Sequence, residues 1–146
     1  MPEDPIQILE VRASHGAASV TVTAAVTAGA THAISTALSE QLDRSRRHST
    51  DSVEDVFALR RQIDLVERFE PLARAGAHAV VQLTDDELRD CLLGLTDYRE
   101  RVDGEHYQPP ELRERLQLTT QVIAILWDAN ASAAAAGDAL LSGAPR

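Results

Sequence analysis

The densest group of side chains with chemical potential is Asp103, Glu105 and His106, with Tyr107 beside them. Carboxylates flanking an imidazole are the ingredients of an acid/base pair or of a small divalent-cation site. The same stretch holds Gly104 and Pro109-Pro110, the residues of a solvated connection between two helices. That simpler account explains the whole stretch. Asp85, Asp86 and Glu87 could also ligate a cation, but they follow Thr84 as the acids of a helix start do.

The other histidines are His15, His32, His48 and His78. None has a His or Cys partner at metal-ligand spacing, no H-E-x-x-H occurs, and a single cysteine makes C-x-x-C impossible. The sequence therefore calls for no metal and no cofactor. Arg44, Arg46, Arg47 and His48, with Arg60 and Arg61, form the one basic patch. Arginine clusters hold phosphates, yet a solvated helix end making ion pairs is the simpler expectation. Trp127 and Asn130 lie one helical turn apart. They suit a ligand pocket, although a core tryptophan with a buried asparagine is the plainer reading. No G-x-S-x-G elbow and no glycine-rich phosphate loop is present. No catalytic residue is assigned, and the pattern argues against an enzyme.

Composition narrows the partners. The chain has 146 residues, a net charge of −9 and only 3% aromatic residues. The negative field repels nucleic acids and anionic membranes, and the scarcity of aromatics removes base-stacking platforms. All 14 basic residues are arginine. A lysine-free chain excludes Schiff-base chemistry and a P-loop lysine, and codon bias accounts for it more simply than escape from lysine modification. Cys91 sits among Leu88, Leu92, Leu93 and Leu95, the setting of a buried inert thiol. The first residues show no signal-peptide pattern, and no run of 18 apolar residues exists. A cytoplasmic location is the expectation.

The elements follow from a change of period. Residues 6–12 and 19–27 alternate as strands, whereas the chain after residue 30 repeats with the three-and-four spacing of helices. In the first strand Ile6 and Ile8 point one way and Leu9 and Val11 the other. In the second, Val20, Val22, Ala24 and Val26 share one face, and Ser14-His15-Gly16 forms the turn between them. A helix is predicted from Thr31 to Arg47. A second runs from Val53 to Ala75, with Ser52 and Asp55 as a capping box and Pro71 as an internal breaker. Its seam is Val53, Val56, Leu59, Ile63, Val66, Phe69 and Ala73, with Leu65 and Leu72 off it. A third strand over 78–83, a third helix from Asp85 to Val102 and a long fourth helix after Pro109-Pro110 complete the chain. The fourth helix is apolar on two sides, one carrying Leu118, Val122 and Ile125.

The expected fold is α+β, with element order ββααβαα and helices packed on one face of a small antiparallel sheet; the alternative is a mainly helical bundle. One domain over residues 1–141 and a flexible tail over 142–146 are expected. Function is expected to be a non-enzymatic protein-interaction module, a homodimer or small accessory subunit, with Leu65, Leu72, Leu118, Val122 and Ile125 at the contact. A second reading is an acidic inhibitor or immunity-type protein for a basic partner. A third is a ligand-binding domain or small enzyme built on Asp103, Glu105, His106 and Trp127.

Overall fold

A computed structural model of the chain describes residues 4–14, 19–47, 53–104 and 108–141. The element order is β1 (Ile6–Ser14), β2 (Ser19–Val26), α1 (Ala28–Arg47), α2 (Val53–Ala75), β3 (Ala79–Thr84), α3 (Asp85–Asp103) and α4 (Pro110–Leu141). The three strands form one antiparallel sheet in the order β1-β2-β3. The α+β reading holds and the helical-bundle alternative does not. Residues 15–18, with His15 and Gly16 of the expected turn, the serine at 52, Glu105 to Tyr107 and residues 142–146, the place of the expected tail, lie outside the described residues, as does the side chain of Asp55.

Strand alternation explains why the sheet has two unlike faces. Val20, Val22, Ala24 and Val26 of the central strand are buried, and Val81 and Leu83 of β3 join them. The opposite face carries Gln7, Thr21, Thr23, Ala25, Val80 and Gln82, with Gln7, Val80 and Gln82 exposed. In β1 the simple alternation fails. A bulge between Ile8 and Glu10 takes Leu9 out of register. The inserted residue resets the phase of the strand. Ile6, Ile8, Val11 and Ala13 consequently pair with the inward row of β2, while Leu9 is left exposed. Val11 thus faces the core side, opposite to the alternation expected from sequence.

The helices start where local hydrogen bonds let them. Thr27 ends the β1–β2 ladder by donating its N–H to the Pro5 carbonyl at 3.0 Å, and its hydroxyl accepts from the Ala30 N–H at 3.2 Å. It therefore caps α1, which begins three residues earlier than the periodicity suggests. Thr84 does the same between β3 and α3. Its hydroxyl accepts from the Glu87 N–H at 3.2 Å, and the Glu87 carboxylate accepts from the Thr84 N–H at 2.9 Å. This is the expected capping box. The same carboxylate takes a 2.7 Å bond from Arg68 of α2, and Arg68 also donates to the Gln82 carbonyl at 3.1 Å. One arginine thereby joins α2, β3 and α3.

Pro71 does not end α2, which runs through to Ala75. The proline and Glu67, the carbonyl it cannot serve, are both exposed, so water can take the lost bond. Gly76, with φ of 64°, then stops the helix by returning its N–H to the Leu72 and Ala73 carbonyls at 3.2 Å each.

The core is one apolar cluster that includes residues from all three strands and all four helices. Helix α4 touches β1, β2, α1 and α3, which explains why it is apolar on two sides. Close approach replaces aromatic bulk at the crossing of α1 and α3. A Cβ on Gly94 would stand 2.9 Å from Gln41 Oε1 and 3.5 Å from Leu38 Cδ2. Gly94→Leu should therefore cost about 1–3 kcal/mol by overpacking. Gly94→Ala should be close to neutral, because better helix propensity offsets moving the flexible end of Gln41. Urea unfolding of both variants checks this.

The Glu87 network gives a pH prediction. Burial alone would raise the Glu87 carboxyl, but the Arg68 hydrogen bond and the Thr84 N–H together hold it below the ordinary glutamate value. Its contribution to stability is present above the unfolded pKa and is lost as pH falls through the lowered folded value. Between pH 6 and pH 3, on the order of the carboxylate range, wild-type protein should lose more stability than Glu87→Gln. Thr84→Ala should cost about 1–2 kcal/mol at neutral pH through loss of the cap. Denaturant midpoints across that range measure both effects.

Candidate functional site

The five apolar residues expected at a contact are placed by the fold as follows. Leu65 and Val122 are fully buried within the single chain and offer no surface. Leu72, Leu118 and Ile125 are half-buried and pack against the same core. Leu118 reaches α1, where its Cδ2 would lie 3.3 Å from a Cβ on Gly29. Exposed large apolar side chains lie elsewhere, singly at Leu9, Val80, Leu93 and Trp127 and as a group of three on the amino-terminal half of α2.

That helix changes its covering along its length. Near its end Leu65 and Phe69 are fully buried. Near its start Val53, Val56 and Phe57 are 66%, 54% and 61% exposed. Spacing of three and four puts these three on one face, rotated around the helix from the buried side defined by Leu65 and Phe69. The predicted seam thus contains residues of both faces: Phe69 belongs to the core, while Val53 and Val56 do not. On the neighbouring helix Leu93 is also 63% exposed. Arg61 binds Asp90 through two bonds, at 2.5 Å from Nε and 3.3 Å from the guanidinium terminus, tying α2 to α3. Phe57 and Leu93 each stand one helical turn from that pair.

The electrostatic surface is interleaved rather than one-sided. Arg12 pairs with Glu10, Arg44 with Asp97, Arg101 with Glu40 and Arg74 with Glu70. Arg89 pairs with Asp86, and Arg68 with Glu87. The basic patch is thus partly spent in ion pairs, as expected of a solvated helix end. Beneath the α1–α2 hairpin, Gln41 Oε1, Arg44 Nε and Gln62 Oε1 are buried and have no hydrogen-bond partner. Such groups lower local stability.

Of the residues in the ligand-site reading, the structure describes Asp103 and Trp127, and these two do not share a cleft. Glu105 and His106 lie outside the described residues. Trp127 is 64% exposed on α4, so it is not the core tryptophan expected, and Asn130 is half-buried. Asp103 does line a cleft of about 610 Å³ between the end of α3 and the start of α4, together with Arg99, Gln108, Arg113, Gln117 and Gln121. Trp127 is not part of it. A smaller hollow of about 480 Å³ at one end of the sheet includes Asp4, Gln7, His78 and Val80. Among the described residues no group of three or more His, Cys, Asp or Glu side chains could hold a metal ion. No described helix is long and apolar enough to cross a membrane.

Compared with known proteins, the chain matches no family model, no curated protein and no solved structure. Function must therefore be argued from its own surfaces.

Cys91 is removed from chemistry by its position. It is fully buried, and burial, reinforced by the nearby Asp90 and Glu87 charges, pushes its thiol up to about 12. The thiolate, the reactive form, is absent at neutral pH. A thiol-specific chromogenic reagent at pH 8, roughly the free-cysteine pKa, should leave the native protein unmodified and label one thiol at once in urea. Rapid stoichiometric labelling of the native protein would contradict this burial.

Proposed function

We propose that the protein is a non-enzymatic interaction module that self-associates through the outward face of α2. The observation that carries this reading is the exposure of Val53, Val56 and Phe57 on one helix face. The chain has two phenylalanines; one is fully buried as Phe69, and the other is spent on the surface. Single exposed apolar residues are ordinary, but three large ones on two successive turns form the kind of patch that marks a contact.

The surrounding charges favour a second copy as the partner. Positions 54 and 55 are acidic, and Arg60 is exposed. Arg60 makes no ion pair among the described residues. A two-fold contact brings the same patch of both copies together. If two α2 helices cross antiparallel at Phe57, position 54 of each stands level with Arg60 of the other. The apolar centre is then flanked by opposite charges on both sides. An inhibitor of a basic partner would need its acids gathered on one surface, whereas eight of the 23 acids are paired with arginines of this chain.

Sedimentation equilibrium at physiological salt tests the proposal. Wild-type protein should dimerise at concentrations up to about 100 μM, and Phe57→Asp should be monomeric with an unchanged circular-dichroism spectrum, because Phe57 makes no core contact. A wild-type chain that stays monomeric throughout, or a dimer indifferent to Phe57→Asp, overturns it.

A further inference from the structure

We infer that the cleft between α3 and α4 is a binding site for an oxyanion, a phosphoryl or carboxylate group carried by a small molecule. This site is separate from α2 and does not depend on the self-association reading. Its walls carry Arg99 from the last turns of α3 and Arg113 from the first turn of α4. Seven of the 14 arginines are engaged in ion pairs among the described residues. Arg99 and Arg113 make neither an ion pair nor a side-chain hydrogen bond among the described residues. In a chain of net charge −9, two guanidinium groups left without a carboxylate on facing helices form a local positive island.

The geometry supports a ligand rather than bulk solvent alone. Arg99 is half-buried, which lowers the effective dielectric around it and strengthens any charge-assisted bond it makes. Gln108 fixes one rim. Its amide donates to the Val102 and Asp103 carbonyls at 3.4 and 3.2 Å, closing the end of α3 and holding the approach to α4. Gln117 and Gln121, one turn apart on α4, add exposed amide donors to the same wall. At about 610 Å³ the cleft has room for a small organic anion. The helix ends do not decide the sign of the site, because the negative end of α3 and the positive end of α4 meet here and oppose each other. The side chains decide it. Among the described residues Asp103 is the one acidic group in the lining, and it opposes anion binding.

That opposition makes the test directional. Wild type, the Arg99→Gln/Arg113→Gln double variant and Asp103→Asn are titrated separately with sodium phosphate and sodium succinate. Isothermal calorimetry and amide chemical shifts follow binding, and each titration is repeated with added sodium chloride. Wild-type protein should bind at least one of the two anions, with shifts confined to the 99–121 region. The double variant should bind at least about tenfold more weakly, and Asp103→Asn about two- to fivefold more tightly, because removing a like charge acts in the opposite direction from removing two opposite ones. Preference for phosphate assigns a phosphoryl ligand, and preference for succinate a carboxylate. If the double variant loses its fold, the tightening by Asp103→Asn still decides the matter. No binding of either anion by wild type, or equal binding by wild type and Asp103→Asn, overturns the inference.

Discussion

The fold depends on burying one row of small side chains. Val20, Val22, Ala24 and Val26 form the inward face of the central strand, and a three-stranded sheet is not stable with that row in water. Short residues present a shallow surface, so whatever covers them must come close. The long helix that lies on β1 and β2 meets this demand with small residues of its own: Ala129, Ala133 and Gly137 on α4, where a Cβ at position 137 would stand 3.5 Å from Val20 Cγ2. Shape complementarity at short range replaces the aromatic wedges that many cores use. The remaining elements follow from this. Helix α4 is long because it crosses two strands and two helices, and α2 is displaced to the outside, where it rests mainly on α1.

Much of this architecture is legible in the sequence because the signals are local and mutually consistent. The alternation over β2, the Thr84–Glu87 capping box and the order ββααβαα are each written in a few adjacent residues. What was not legible required knowledge of neighbours. The bulge at Leu9 changes which side of β1 faces the core, and nothing in Ile-Gln-Ile-Leu-Glu-Val distinguishes a bulged strand from a regular one. Thr27 reads equally well as the last strand residue or as a helix cap, and it is placed as both.

The candidate surfaces were less legible still. Apolar periodicity marks the sides of a helix that prefer to be covered, but it does not say what covers them. Leu65 lies off the predicted seam of α2 and is fully buried, whereas Val53 and Val56 lie on that seam and are exposed. Trp127 shows the same ambiguity in reverse, since the largest side chain in the chain projects from α4 into solvent. Among the polar residues, Asp103 was singled out as an acid near a histidine. Its structural company is different: two arginines from separate helices, which line one cleft because α3 packs against α4. Such a pairing has no sequence spacing to betray it.

The position of Arg68 has a consequence for how the protein behaves when crowded. By occupying the Gln82 carbonyl on the free side of β3, it places a charged plug where another strand would have to dock. A ribbon with a vacant flank is a template for runaway polymerisation, and this flank is obstructed by a residue that the capping network holds in place. Growth of the sheet from molecule to molecule at β3 first requires the Arg68 side chain to be displaced. At this one edge, docking of another strand competes with the contact that anchors the third helix.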